Sequence, residues 1–251
     1  MSRPLLPALL ALALLTACGR APGLDRLAPG EEGRVADVKS GDALVLDSGL
    51  EVRLAGVEAP KGADPYAAQS LAALKALADG RRARLLYGGA RRDRYGRALA
   101  QVTLKHGGWI EQTLLRTGAV RARTWADNRA MAAPMLEAEA YARNRRLGLW
   151  ALPTYRVQLP GEASNAQGFT IVEARVRGIG ANPLRLELTS SPGVGLAAVI
   201  DAKAEEDFKR AGKAPAQLRG RHLRLRGYVR ASDRVLELDH PEQVEWLKEA
   251  D

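Results

Sequence analysis

The sequence has one cysteine in 251 residues, which excludes an intrachain disulfide. Its three histidines, His106, His222 and His240, lie far apart, so no Cys/His zinc cluster is available either. Each of the three reads as a surface or strand-end residue. Aromatic residues are scarce at 5%, so the 46% of hydrophobic residues must build an aliphatic, alanine-rich core. The apolar stretch Leu5 to Leu15 falls short of the about 20 residues that a bilayer-spanning helix needs. Acid is also in short supply. Against 38 Lys and Arg there are 29 Asp and Glu, and the net charge of +9 favours anionic partners such as nucleic acid or a lipid surface.

What is present begins at the N-terminus. Met1-Ser2-Arg3 is a short positive segment, followed by the apolar stretch and a small residue, the pattern of a signal peptide over residues 1–17. Leu15-Thr16-Ala17-Cys18 resembles the bacterial lipobox, whose cysteine becomes the first mature residue and carries lipid. The resemblance implies lipidation at Cys18 and a place in the cell envelope, anchored to a bacterial membrane on its periplasmic or outer face. Residues 18–32 are rich in Gly, Pro and charge and read as a tether.

The charge is not spread evenly. Residues 19–159 hold 23 Lys and Arg against 15 Asp and Glu, whereas residues 160–251 hold 14 of each. The basic excess, and with it anion binding, belongs to the first folded region.

Alternating runs predict strands over Val35 to Val38, Ala43 to Leu46 and Glu51 to Val57, with Ser40-Gly41-Asp42 and Asp47-Ser48-Gly49 as hairpin turns. A helix follows over Tyr66 to Asp79, then strands over Arg84 to Tyr87 and Leu99 to Leu104. Two more helices are expected over Trp109 to Thr117 and Arg129 to Arg146. Three strands, a helix and two strands is the order of the five-stranded OB barrel. Residues 152–167 read as a linker. Beyond them, strands over Phe169 to Val176, Leu184 to Leu188 and Leu196 to Ile200, a helix over Ala202 to Ala211, and strands over Leu223 to Val229 and Val235 to Leu238 repeat the order. The fold class is therefore α+β, mainly β: an OB-fold barrel with helices over 33–151 and a smaller OB-like domain over 168–251.

Three short pieces carry chemistry. They are Gly41-Asp42, the segment Val52-Arg53-Leu54-Ala55-Gly56-Val57-Glu58-Ala59-Pro60, and Asp93-Arg94-Tyr95-Gly96-Arg97. Two guanidiniums suit a phosphodiester, because each offers hydrogen bonds in a fixed fork. Carboxylates and carbonyls suit a hard cation. In their order and spacing, and with Gly148 to Trp150 closing the last helix, these pieces strongly resemble the staphylococcal nuclease (thermonuclease-like) family from about residue 33 to 151.

The resemblance implies a phosphodiesterase acting on DNA or RNA with Ca²⁺. It gives Arg53 and Arg97 the phosphate, and Asp42, Glu58 and the backbone carbonyl of Ala59 the metal. It gives Arg94, Tyr95 and Trp125 the nucleotide, with Trp125 as a surface on which a base can stack. Glu58 stands where the family usually has Asp, and Ala43 and Ala59 stand where it often has Thr. The larger departure is Lys61. The family carries its general base, a Glu, at that position, and an ammonium has no lone pair with which to accept a proton. Asp64, three residues on, is the nearby substitute. Two functions follow, an envelope nuclease or a catalytically weakened barrel that binds nucleic acid or phosphate.

In the second domain His222, Arg224 and Arg226 share one face of a strand while Leu223 and Leu225 face the core. That face reads either as a track for a nucleic-acid backbone or as a solvated face balanced by Asp233, Glu237 and Asp239. The second domain carries no catalytic constellation, and its protein partner is unidentified.

Overall fold

A computed structural model describes residues 23–105, 108–164, 168–181, 184–189, 195–230 and 232–247. Cys18, the signal segment and His106 lie outside the described residues. Among those described, no helix is long and apolar enough to cross a membrane.

The first barrel opens with β1 (Ala28–Ser40), β2 (Ala43–Leu46), β3 (Glu51–Leu54) and the short β4 (Val57–Glu58), followed by α1 (Ala67–Ala78). Next come β5 (Arg82–Tyr87), β6 (Ala98–Leu104), α2 (Ile110–Thr117), β7 (Arg121–Ala122) and α3 (Ala132–Asn144). The barrel closes in the order β1-β2-β3-β6-β5, with β5 returning to β1. Only β3 and β6 pair parallel. A one-residue alternation fills it, with Leu44, Leu46, Val52, Leu54 and Leu85 fully buried. Each such side chain contributes about 1.5–3 kcal/mol. On α3 and the Met131 that caps it, the predicted apolar face is the buried one: Met131, Met135, Ala138 and Ala142 are all buried.

The second barrel follows α4 (Pro160–Ala163). Its elements are β8 (Gly168–Gly180), β9 (Arg185–Thr189), β10 (Leu196–Ile200), α5 (Glu205–Arg210), α6 (Pro215–Leu218), β11 (His222–Arg230), β12 (Val235–Leu238) and β13 (Val244–Trp246). Strands β8 to β12 close as in the first barrel, again with a parallel pair between the third and the fifth, β10 and β12. The molecule is thus two five-stranded barrels of one topology, the mainly-β class expected, with β13 added along β11.

Three sequence expectations change. The first strand starts at Ala28, so the last five residues assigned to a tether belong to a barrel strand of 13 residues, and Leu24 and Leu27 are buried against it. Polar strand residues that pair at an exposed edge carry no tell-tale alternation. The segment read as a linker is held down: Gln158 pairs with Val172, Tyr155 donates to the Pro65 carbonyl at 2.6 Å, and Ala163 is fully buried. The third strand stops at Leu54, because Gly56 turns the chain at φ 76° and an added Cβ would sit 2.6 Å from the Met135 sulfur.

Arg224 and Arg226 do not stand on a solvated face. Their face is the seam between the barrels. Arg226 is 1% exposed and donates to the Ala122 carbonyl (3.0 Å), Glu139 (2.8 Å) and Glu245 (2.5 Å). Arg224 pairs with Glu173 and Glu245. Of the acids expected to balance that face, Asp233 and Glu237 bind Arg230 instead. His240, expected at the surface, is fully buried, with its Nε2 3.2 Å from the Thr124 hydroxyl of the first barrel. Arg129 of the first barrel binds both Asp207 and Glu242 of the second.

One buried acid makes the first barrel sensitive to pH. Glu111 is fully enclosed, and its carboxyl accepts the Val102 N–H at 3.1 Å. Burial pushes its pKa up from 4.5 to about 8. The folded state then keeps a proton that the unfolded chain has already released. This contribution to stability is whole below pH 4.5 and is lost as pH rises through about 8. Over that window stability falls by on the order of 4 kcal/mol. Glu111→Gln keeps an acceptor for Val102 and removes the titration. Denaturant unfolding at about pH 5 and about pH 9 is expected to show the wild-type decline and to lose it in the variant.

Candidate functional site

The site lies where the β1–β2 turn, the end of β3 and the turn before β6 meet. Gly41 is required in the first turn, because an added Cβ would sit 1.9 Å from Oγ of Ser70 on α1. This close approach drives Asp42 inward until it is fully buried. Its Oδ1 accepts from the Ser40 hydroxyl at 2.8 Å and its Oδ2 from the Ala59 N–H at 2.9 Å. Two cations share Oδ2: Arg53 Nη2 at 3.1 Å and Lys61 Nζ at 3.6 Å.

Arg53 projects from β3 and is 7% exposed. It donates to the carbonyls of Leu54 (2.7 Å) and Val57 (2.8 Å), so the backbone fixes the guanidinium plane. Burial pulls its pKa down, and Asp42 and Glu58 oppose the shift. The floor beneath is tied by Gln101, which donates to the Ala55 carbonyl and accepts from Trp109.

The Asp93–Arg97 turn is built by one carboxylate. Asp93 Oδ1 accepts the N–H groups of Tyr95 and Arg97, and Oδ2 takes the Arg97 guanidinium at 2.7 Å. Burial works against ionisation of Asp93, but these bonds hold its carboxyl below the usual range. Tyr95 stands 68% exposed, with the Arg94 and Arg97 guanidiniums 4.8 and 5.5 Å from its ring.

These parts face one cleft of 510 Å³. Arg53, Lys61, Arg94, Tyr95, Arg97 and Trp125 all line it, so the structure brings together six of the residues picked out in the sequence. Asp64 is not among the lining residues. Its carboxylate turns back onto the Lys61 N–H at 3.0 Å and caps its own turn. The carboxylates that do line the cleft are Asp93 and Asp127. Arg123 and Tyr228 also line it, and sequence reasoning missed both.

The donor set does not suit a hard cation. Calcium takes about six to eight oxygens, and among the described residues no three of Asp, Glu, His and Cys gather as a cage. Asp42 has both oxygens engaged. Glu58 binds Arg123 at 2.6 Å and lies 3.8 Å from Arg121, leaving only its buried Oε2 without a hydrogen bond. Ala59 is tied to Asp42 through its N–H. Around these two acids stand Arg53, Lys61, Arg121 and Arg123, and such a cationic surround repels a divalent ion. Lys61 brings an ammonium to the oxygen that a metal would need.

Residues 51–152 match the model of the family described as staphylococcal nuclease homologue. A protein of Escherichia coli O157:H7 named an uncharacterized endonuclease is 33% identical over 123 residues, spanning 47% of this chain and 76% of that protein. A probable endonuclease lcl3 of Pyrenophora tritici-repentis is 33% identical over 127 residues, 45% of each chain. A probable endonuclease LCL3 of Phaeosphaeria nodorum is 33% identical over 132 residues, spanning 47% of this chain and 43% of its own.

Proposed function

The chain belongs to the staphylococcal nuclease family, and from that premise we propose that it is a nucleic-acid phosphodiesterase whose cleavage is weak. The observation that carries this reading is the gathering of Arg53, Lys61 and Arg97 on one cleft beside Tyr95 and Trp125. Three cations, of which Arg53 and Arg97 are fixed by hydrogen bonds, offer the phosphate what its charge requires, and the aromatic rings offer a surface to a base. Hydrolysis adds water to phosphorus and breaks one P–O ester bond, with a proton passing to the departing oxygen. Arg53 and Arg97 offset charge that builds on the phosphoryl oxygens in the transition state.

Activation of water is where the site is poor. Lys61 replaces the acceptor with a donor, and loss of a general base costs about 10²–10⁴-fold. The side-chain cations take over charge neutralisation that the family resemblance gives to calcium. The same observation supports a second reading, in which the protein holds nucleic acid and cuts none. We place either activity at a bacterial membrane, through a lipid on Cys18, on the strength of the Leu15-Thr16-Ala17-Cys18 motif.

Fluorescence anisotropy with labelled single-stranded DNA tests the grip. Binding is expected in the presence of chelator. Arg97→Ala is expected to weaken it by about 10-fold, in keeping with about 1.5–3 kcal/mol for a charged hydrogen bond. Wild type that binds only when calcium is added overturns the metal-free site. Slow chelator-resistant cleavage favours the enzyme, and binding without any cleavage favours the second reading.

A further inference from the structure

Tyr228 belongs to β11 of the second barrel, yet it stands in the wall of the phosphate cleft of the first. It is 43% exposed, unusual for so large a ring beside a barrel seam. Its partner there is Arg123, which leaves the first barrel just after β7. The Arg123 guanidinium lies 4.7 Å from the Trp125 ring and 4.4 Å from the Tyr228 ring. Glu58 holds it in that place. Two barrels thus supply one stack of Trp125, Arg123 and Tyr228.

The stack does not end the cleft. Arg123, Trp125 and Tyr228 also line a second cavity of 360 Å³, which runs between the barrels. The lining changes sign on the way. The first cavity presents Arg53, Lys61, Arg94 and Arg97 with Asp93 and Asp127, whereas the second presents Asp201 and Asp239, with Glu237 paired to Arg230. Carboxylates repel a phosphate but accept hydrogen bonds from the ring N–H and amino groups of a nucleobase. A cationic seat, a flat aromatic and guanidinium stack, then an acceptor-lined pocket follow the order of phosphate, base face and base edge along a nucleotide.

Resting on the reading that the first cleft grips a phosphodiester, we infer that the second barrel completes a binding track for single-stranded nucleic acid. A base adjoining the gripped phosphate stacks on Tyr228 and turns its polar edge toward Asp201 and Asp239. The strand must be single, because a paired base offers neither its face to a ring nor its edge to a pocket. The seam between the barrels is then part of the site. Arg226, Arg129 and His240 hold the second barrel in register with the first, and so fix Tyr228 over the cleft.

The test is anisotropy of the full chain with a fluorescein-labelled single-stranded tetranucleotide of adenine and cytosine. Inorganic phosphate serves as competitor and reports on the phosphate seat alone. Tyr228→Ala is expected to weaken tetranucleotide binding by about 5- to 150-fold, the span of one lost stacking contact. Tyr228→Phe keeps the ring and is expected to bind as wild type. Trp246→Ala removes another exposed aromatic of the same barrel, 46% exposed and outside both cavities, and is expected to have no effect. The inhibition constant of phosphate stays unchanged in all three. Tetranucleotide binding that survives Tyr228→Ala overturns the track and leaves the proposed function standing. So does equal binding of a blunt duplex that contains the same sequence and is long enough to stay paired. Wild type that binds no oligonucleotide overturns the proposed function and the track together.

Discussion

Lys61→Glu is expected to raise the rate of nucleic acid cleavage by about 10²–10⁴-fold. The substitution makes two changes at once. It withdraws the ammonium that lies 3.6 Å from Asp42 Oδ2, and it supplies a carboxylate able to take a proton from water. It also sets a third carboxylate near Asp42 and Glu58, which moves the donor set toward the oxygen ligands that a hard cation takes. The gained activity should therefore fall when a chelator is added, while wild-type binding does not respond. Calorimetric titration with calcium is expected to give heat in the variant and none in the wild type. Lys61→Met separates the two changes, since it removes the cation and adds no base. It should bind phosphate less tightly and cleave no faster. A gain in Lys61→Met equal to that in Lys61→Glu would show that the ammonium inhibits a base already in place, and Asp127, which lines the cleft, would then be the carboxylate to replace next.

How far such a site can be read from sequence depends on the range over which its parts interact. Devices within a few residues were legible. The Gly41-Asp42 turn and the Asp93–Arg97 turn each announced themselves by residue type, whereas Gly56, which ends β3 against Met135, did not. The five-strand order was legible twice, because alternation survives wherever one face is buried. The parts set by distant partners were not. Glu58 reads as a metal ligand until Arg123, 65 residues away, is found bound to it. Strands β7 and β13 have two and three residues, too few to show a period. Arg224, Arg226 and Tyr228 lie on the outward phase of β11, and outward residues read as solvated until another barrel packs there. One signal did point to Tyr228: an aromatic ring two places beyond two arginines on the same strand face is an odd thing to leave in water.

Arg226→Ala is expected to cost about 3–5 kcal/mol of stability, because it leaves a buried charge without its partner. Glu139 is fully buried and would keep only Arg143, at 2.9 Å, together with the Ala122 N–H. Glu245 would keep Arg224 at 3.4 Å. The loss should reach function as well. Glu139 and Arg226 together hold both the N–H and the carbonyl of Ala122. Ala122 stands between Arg121 and Arg123, the two arginines beside Glu58. Loosening this strand moves Arg123 away from Tyr228 and opens the stack between the barrels. Tetranucleotide affinity should then fall further than phosphate affinity, at temperatures where both barrels remain folded by circular dichroism. The pair Arg226→Met with Glu245→Gln tests the cause, since it removes the cation with one of its two acids, fills the volume, and leaves Arg143 with Glu139 and Arg224 with Glu173. It should recover most of the stability. If the double variant is as unstable as Arg226→Ala, the seam is held by shape and not by compensated charge. If Arg226→Ala leaves tetranucleotide binding intact, the second barrel does not need this register to serve the cleft.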